Sequence, residues 1–198
     1  MPFVFKRLAL ILSITAVWAA DKETPFKAQP AATYPAHQTN QQITIGVDPY
    51  TDSEKLKVAF GKLDPNEHGV LPVLVVIQND TGRTVRLSNM KVEYLGPNRE
   101  RIEATPAKEV KYLRPPQKPS MIPGPGSKIK VLKTKKNPLD AWEIEGRAFA
   151  AQMLPPGNTA SGFFYFQTPL QSRATIYVSG MADAGTGKEI LYFEIPLP

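Results

Sequence analysis

Residues 70–94 read VLPVLVVIQNDTGRTVRLSNMKVEY, an apolar run followed by a turn and two short alternating segments. Positions 73–77 are apolar without exception, which predicts a β-strand that is covered on both faces or lies centrally in its sheet. Pro72 fits only at the beginning of that strand, because proline removes a backbone donor. Residues 79–82 predict a chain reversal, since Asn, Asp and Gly tolerate positive φ. The stretch therefore predicts the core of a β-sandwich.

Further segments of the chain have the composition and period of strands. Alternating apolar and polar residues indicate half-buried strands, and the run Phe-Phe-Tyr-Phe at 163–166 carries aromatic rings on both faces. These segments lie at 43–47, 85–87, 90–94, around Ile102, 163–166, 174–178 and 190–195. We predict a mainly β fold, an antiparallel β-sandwich of about seven strands with one or two short helices.

Two segments favour short helices. Residues 52–60 begin with acids and precede Gly61, which suits a position just past a helix end. This helix is predicted to cover one open end of the sandwich, and the alternative is a partner-binding face. The second begins with an Asn cap at Asn137, places Leu139 and Trp142 towards the core and ends at Gly146. Trp142 is predicted to pin the preceding segment to the core, and the alternative is that it anchors a ligand. After Gly146 we predict an extended segment at 149–153, and the alternative is one helix that continues to Met153.

The N-terminal residues have the pattern of an export signal. Lys6 and Arg7 precede the apolar stretch 8–17 and a small-residue cleavage pattern that ends at Ala19. Residues 1–19 are therefore predicted to be a signal peptide, and residues 20–41, which lack an apolar period, a flexible leader. A retained membrane anchor is the alternative, although the apolar stretch is shorter than the roughly 20 residues that span a bilayer.

The chain contains no cysteine. A small exported domain without disulfides is typical of bacteria rather than eukaryotes, so we expect a periplasmic or extracellular bacterial protein. The missing thiols also exclude cysteine catalysis and thiolate metal sites. No later segment has the length and apolarity of a membrane span, so the mature chain is predicted to have no transmembrane helix.

The segment 106–136 differs from its surroundings in being rich in proline and lysine. Its proline density excludes a regular strand ladder, so the segment is predicted to be a long insertion. This part of the chain contains nine basic residues and one acidic residue, Glu109. They are Lys108, Lys111, Arg114, Lys118, Lys128, Lys130, Lys133, Lys135 and Lys136. They form either a solvated loop that maintains solubility or a contact with an anionic surface. Nucleic acid is the least favoured anionic partner, because few aromatic residues interleave with the lysines.

No residue pattern for catalysis, a metal or a cofactor stands out. His37 and His68 are the only histidines, and neither has the context of a hydrolase base, so an enzyme is the weakest hypothesis. His68 beside acids in a connecting loop is commonplace and predicts no metal site. The Gly-rich loop 184–188 lacks the spacing of a phosphate cradle. We predict no catalytic, metal or cofactor-binding residues.

Three stretches carry a family resemblance: VLPVLVVIQNDTGRTVRL, NMKVEYLGPN and MLPPGNTASGFFYFQ. They resemble exported bacterial immunoglobulin-like domain families of unknown function over residues 43–104 and 148–195. The resemblance implies an immunoglobulin-like sandwich over 42–198, interrupted by the insertion at 106–136, and brings no catalytic residues. The sequence thus favours a non-enzymatic module that binds an unknown protein or envelope component, with an electrostatic membrane-surface or anionic-polymer binder as the alternative.

Overall fold

The computed structural model describes residues 26–113 and 137–198. Eleven strands and three short α-helices are present in these ranges. The strands are β1 Ala36–Asn40, β2 Ile43–Pro49, β3 Leu71–Asn79, β4 Val85–Arg86, β5 Lys91–Leu95, β6 Arg101–Glu103, β7 Met153–Leu154, β8 Thr159–Phe166, β9 Thr175–Ser179, β10 Ala182–Asp183 and β11 Phe193–Pro196. The helices are α1 Ser53–Phe60, α2 Ala107–Val110 and α3 Trp142–Gly146.

The strands form three antiparallel sheets. Sheet A has the order β1-β2-β3-β8, sheet B the order β10-β4-β7 and sheet C the order β11-β9-β5-β6. Sheets A and C pack face to face, and sheet B closes one end of their shared core. The predicted mainly β, antiparallel sandwich is confirmed. The described residues contain more strands than the predicted seven, because several are only two or three residues long.

Strand β3 is buried on both faces, as its unbroken apolar run predicts. One set of its alternating side chains, including Val73 and Val75, packs with sheet C in the main core. The other set, Leu74 and Val76, packs in a second core beneath the helices. Because sheet A lies between sheet C and a helical layer, neither face of β3 can carry polar residues at this point.

Helix α1 forms much of that helical layer. The Asp52 side chain accepts hydrogen bonds from the backbone amides of Glu54 and Lys55, and Gly61 ends the helix at φ 64°. Leu56, Ala59 and Phe60 are buried in the second core. The predicted helix is confirmed, but it covers the outer face of sheet A rather than an open end of the sandwich.

The prediction of a flexible leader up to residue 41 is wrong for its last part. A 3-10 helix at Ala31–Thr33 packs Ala31 into the second core, and β1 pairs with the whole first part of β2. Gly46 on β2 makes this possible, since a Cβ there would collide with the carbonyl of Ala31 and the ring of Tyr34. Strand β1 gave no apolar period because it is an edge strand, in which two of the four polar residues are exposed and the other two are half-buried.

The prediction for residues 137–146 is partly wrong. Asn137 begins a turn, in which its Oδ1 accepts a hydrogen bond of 3.2 Å from the Leu139 amide, and α3 starts only at Trp142. Leu139 and Ile144 are buried, whereas Trp142 is 69% exposed and does not pin the insertion to the core. The helix ends at Gly146 as predicted, and the alternative of one helix to Met153 is wrong, because residues 148–152 are not helical.

Within the two described ranges, no helix combines the length and the apolar character that crossing a membrane requires. The predicted signal peptide at 1–19 lies outside the described residues.

Candidate binding groove between the sheets

The outer edge of β8 is covered by two segments that cross from other parts of the fold. The Phe163 amide donates to the Arg147 carbonyl at 2.9 Å, and the Phe149 amide donates to the Phe163 carbonyl at 3.1 Å. Further along, the Thr105 amide donates to the Tyr165 carbonyl at 2.7 Å. Backbone groups at the edge of sheet A thus have hydrogen-bond partners without another full strand.

A groove of about 310 Å³ opens between the two sheets at this edge. Strand β6 pairs only with positions 93–95 of β5, and the chain then leaves sheet C to reach β8 at Thr105. Among the described residues, the first part of β5 therefore has no paired strand on this side, and a space lies open there. Its apolar lining includes Met90, Val92, Ala104, Phe149 and Phe164.

Two phenylalanine rings form an aromatic part of that lining. The rings of Phe149 and Phe164 stack with centroids 5.4 Å apart and an interplanar angle of 26°. Both side chains are only partly buried, although they pack against the main core. Gly162 allows this arrangement, because a Cβ at that position would collide with the backbone of Phe149. The groove thus has an apolar surface that is already ordered by backbone contacts.

The rim of the groove is polar and carries both signs of charge. Glu93 and Glu103 lie opposite each other across β5 and β6. Arg101 Nη1 lies 3.1 Å from Glu93 Oε2 and compensates one of these carboxylates. Lys91 and Thr105 complete the polar part of the lining. An apolar wall with a few polar groups at its mouth suits a small amphipathic ligand.

Tyr165 also lines the groove, but its ring packs in the second core beneath the helices and is held there by a hydrogen bond. Its hydroxyl donates to the Ile144 carbonyl at 2.8 Å, which ties β8 to α3. Burial raises the pKa of Tyr165 well above its usual range, despite the positive charge of Arg147 nearby. The phenol therefore stays neutral at physiological pH and acts as a structural donor.

Of the nine basic residues in the predicted anionic contact, the structure describes Lys108 and Lys111; the other seven lie outside the described residues. Lys108 is exposed on α2. Lys111 follows α2, where its Nζ lies 3.7 Å from Glu145 Oε1 and 5.6 Å from the centroid of the Tyr112 ring. These two lysines share their surface with the acids of α2 and α3, so they do not by themselves form a basic patch.

The other aromatic and histidine side chains separate into core and surface. Phe163 and Tyr165 are buried, whereas Tyr177 and Tyr192 form a stacked pair at the surface. His37 lies on β1, with Nδ1 2.6 Å from the Tyr34 carbonyl, and His68 ends a 3-10 helix at Pro65–His68. Within the described part of the chain, no three or more His, Cys, Asp or Glu side chains group closely enough to hold a metal ion.

The Gly-rich loop after β10 is organised by its own carboxylate. Asp183 Oδ1 accepts hydrogen bonds from the amides of Gly185 and Thr186 at 2.8 and 2.9 Å. These amides are the groups that a phosphate cradle would offer, and they are already occupied. The loop is therefore a structural turn.

Sequence reasoning did not find the groove, because its walls come from segments that are far apart in the chain. A partial signal was the short β6 followed by Pro106, which prevents a longer strand. Compared with known proteins, the chain matches no family model and no curated protein. The geometry and the sequence therefore carry the functional argument.

Proposed function

We propose that the chain is an exported, non-enzymatic binding module of a bacterial cell envelope, acting in the periplasm or outside the cell. The export pattern at residues 1–19 and the absence of cysteine support this location. The resemblance of three stretches to exported bacterial immunoglobulin-like domains supports the same assignment. The groove between sheets A and C is the place where this module holds a ligand.

The observation that carries the proposal is the size and lining of the groove. Small-molecule sites in proteins have volumes of roughly 300–1,000 Å³ and combine an apolar wall with few polar groups. The groove has about 310 Å³ and fits the lower end of that range. Its stacked phenylalanines offer an aromatic surface to the ligand body, while Lys91, Glu93 and Glu103 orient polar groups at the mouth.

A neutral fluorescent probe, N-phenyl-1-naphthylamine, tests this proposal without contributions from charge. The fluorescence of the probe is expected to rise on addition of the purified chain and to return towards the free-probe value in Ala104→Phe, which fills the groove. Ala32→Phe is the matched control, because Ala32 is exposed in the 3-10 helix at Ala31–Thr33. Near-UV circular dichroism checks that both variants are folded. Equal probe binding by the wild-type chain and Ala104→Phe would contradict the proposal.

A second candidate function is electrostatic binding to an anionic surface through the basic insertion. It rests on the charge of that segment and on the position of its two ends: the Asn137 side-chain amide donates to the Lys111 carbonyl, so the insertion leaves and rejoins the fold at one place. Such binding weakens steeply with salt. Sedimentation with phosphatidylglycerol vesicles tests it, and replacement of Lys128, Lys130 and Lys133 by glutamine should reduce the bound fraction at low ionic strength. Binding that is insensitive to both salt and these substitutions would exclude this function.

A further inference from the structure

Within residues 26–113 and 137–198, the outer face of sheet C has no covering layer of helices, unlike that of sheet A. Helices cover sheet A, but among the described residues no helix packs on the outer face of sheet C. One register row crosses this face and contains four side chains, which are Glu194, Tyr177, Glu93 and Glu103 on β11, β9, β5 and β6. Three carboxylates thus share a surface with an aromatic ring.

Arg101 shows how this face recognises a guanidinium group. Its Cζ lies 5.1 Å from the centroid of the Tyr177 ring, and its Nη1 lies 3.1 Å from Glu93 Oε2. A planar cation is therefore held by one aromatic ring and one carboxylate at the same time. Arginine suits this pairing better than lysine, because the guanidinium stacks on a ring and presents several donors to a carboxylate.

The same two chemical groups occur once more on the neighbouring strand. Tyr192 stacks on Tyr177 with centroids 5.4 Å apart and remains 53% exposed. Tyr192 directly precedes β11, and Glu194 lies within it, opposite Tyr177 in the register. Since Tyr192 stacks on Tyr177, both side chains lie on the outer face, and Glu194 is exposed. In the part of the chain that the structure describes, neither Glu194 nor Glu103 forms an ion pair.

We propose that the outer face of sheet C binds an arginine-bearing peptide segment of a partner protein, with one guanidinium placed over Tyr192 and against Glu194. Arg101 fills the first such position from within the chain, and the partner fills the second. Charge favours this occupant, because, in the described ranges, Glu194 beside the exposed ring and Glu103 on the same face form no ion pair. The two residues of this contact, Tyr192 and Glu194, do not line the groove, although Glu93 and Glu103 of the same face lie at its rim. The inference does not depend on the ligand of the groove.

Fluorescence anisotropy with a dye-labelled tetra-arginine peptide tests the proposal on the full chain. A tetra-citrulline peptide with the same dye is the probe control, since citrulline keeps the planar shape and part of the donor set of arginine but carries no charge. The protein variants are Tyr192→Leu and Glu194→Gln. Tyr112→Leu is the matched control, because Tyr112 is also exposed, at 71%, and lies beyond α2.

The arginine peptide is expected to bind, and each of the two variants should weaken its binding by about threefold to fivefold, the effect of an exposed cation–π or ion-pair contact. Tyr112→Leu should bind like the wild-type chain. Equal binding of the citrulline peptide, or binding unchanged in Tyr192→Leu, would overturn the proposal. The proposal would also be overturned if the protein bound a chito-oligosaccharide in a way that depends on Tyr192 but did not bind the arginine peptide. Tyr192→Leu should leave naphthylamine binding in the groove unchanged, which separates this test from that of the groove.

Discussion

The side-chain amide of Asn79 donates a hydrogen bond of 2.8 Å to the backbone carbonyl of Leu154, 75 residues away in the chain. It also donates to the Arg83 carbonyl at 2.8 Å, and its Oδ1 accepts from the amide and hydroxyl of Thr81. The side chain is fully buried. Asn79 therefore forms the turn after β3 and joins sheet A to sheet B, which explains the Asn-Asp-Thr-Gly sequence as turn chemistry.

Asn79→Asp should destabilise the fold by about 3 kcal/mol. The carboxylate keeps the shape and the acceptor but loses both donors. The buried carbonyl of Leu154 then loses the hydrogen bond from Asn79, and the carbonyl of Arg83 keeps only the one from the Thr81 hydroxyl. Urea denaturation measures the change in the free energy of unfolding. Asn98→Asp, in an exposed turn, is the control and should be nearly neutral. A cost at Asn79 no larger than at Asn98 would show that the link between the sheets contributes nothing.

Tyr94→Phe should lower stability by about 1–2 kcal/mol, although the ring is retained. The Tyr94 hydroxyl accepts a hydrogen bond of 2.8 Å from the Gln171 amide and lies 3.4 Å from the Pro169 carbonyl, so it anchors the loop before β9 to the core. Thermal unfolding measures the difference. Tyr177→Phe removes a hydroxyl from the surface pair and serves as the control. A melting temperature equally unaffected in both variants would refute the anchoring role.

Replacement of Gln41 by Asn together with Gln42 by Gly should stabilise the fold by about 1 kcal/mol. The register of β1 and β2 leaves a two-residue loop, in which Gln41 and Gln42 have φ of 49° and 60°. Glutamine is strained in this left-handed region, and such hairpin turns prefer Asn-Gly. Chemical denaturation measures the gain.

Gly157→Ala is the converse experiment. Gly157 has φ 70° and open space around it, so a loss of stability there reports backbone strain alone. No change in either direction would refute the strain argument.

Asp183→Asn should reduce the acid sensitivity of the fold. The amide of Thr186 first, then that of Gly185 and the charge of Arg83, hold the pKa of Asp183 below its usual range. Because the folded-state pKa is lowered, the carboxylate stabilises the fold above the usual aspartate pKa of about 4, and this contribution disappears as the pH falls through the lower folded-state pKa. Unfolding free energies measured over acidic pH should converge for the wild type and variant at low pH and separate above it. Parallel curves of unfolding free energy against pH for the wild type and the variant would contradict the stabilising role of the Asp183 carboxylate. Asp140→Asn is the control, because Asp140 is exposed.

The elements that local patterns determine were predictable, and those that depend on distant contacts were not. Helix α1 follows from the Asp52 cap and Gly61, and the burial of β3 follows from its unbroken apolar run. Strand β1 was missed because an edge strand needs no apolar period when its partner, β2, supplies the core residues. Trp142 was misplaced because the Asn137 side chain forms a turn with Leu139 and a tertiary contact with Lys111 instead of capping a helix.

The candidate surfaces show the same division. Strand register decides that Tyr177 and Tyr192 lie outside the core and stack beside Arg101. The groove required knowing that Thr105 and Phe149 both cross to the edge of β8. Neither fact has a local signal.

Composition and periodicity thus determined that the chain forms an antiparallel β-sandwich, because burial of alternating or continuous apolar residues depends on residues close in sequence. Only the tertiary structure decided where the sandwich stays open and which polar side chains meet. These features depend on backbone hydrogen bonds and side-chain contacts between residues far apart in the chain, such as Phe163 with Arg147 and Asn79 with Leu154.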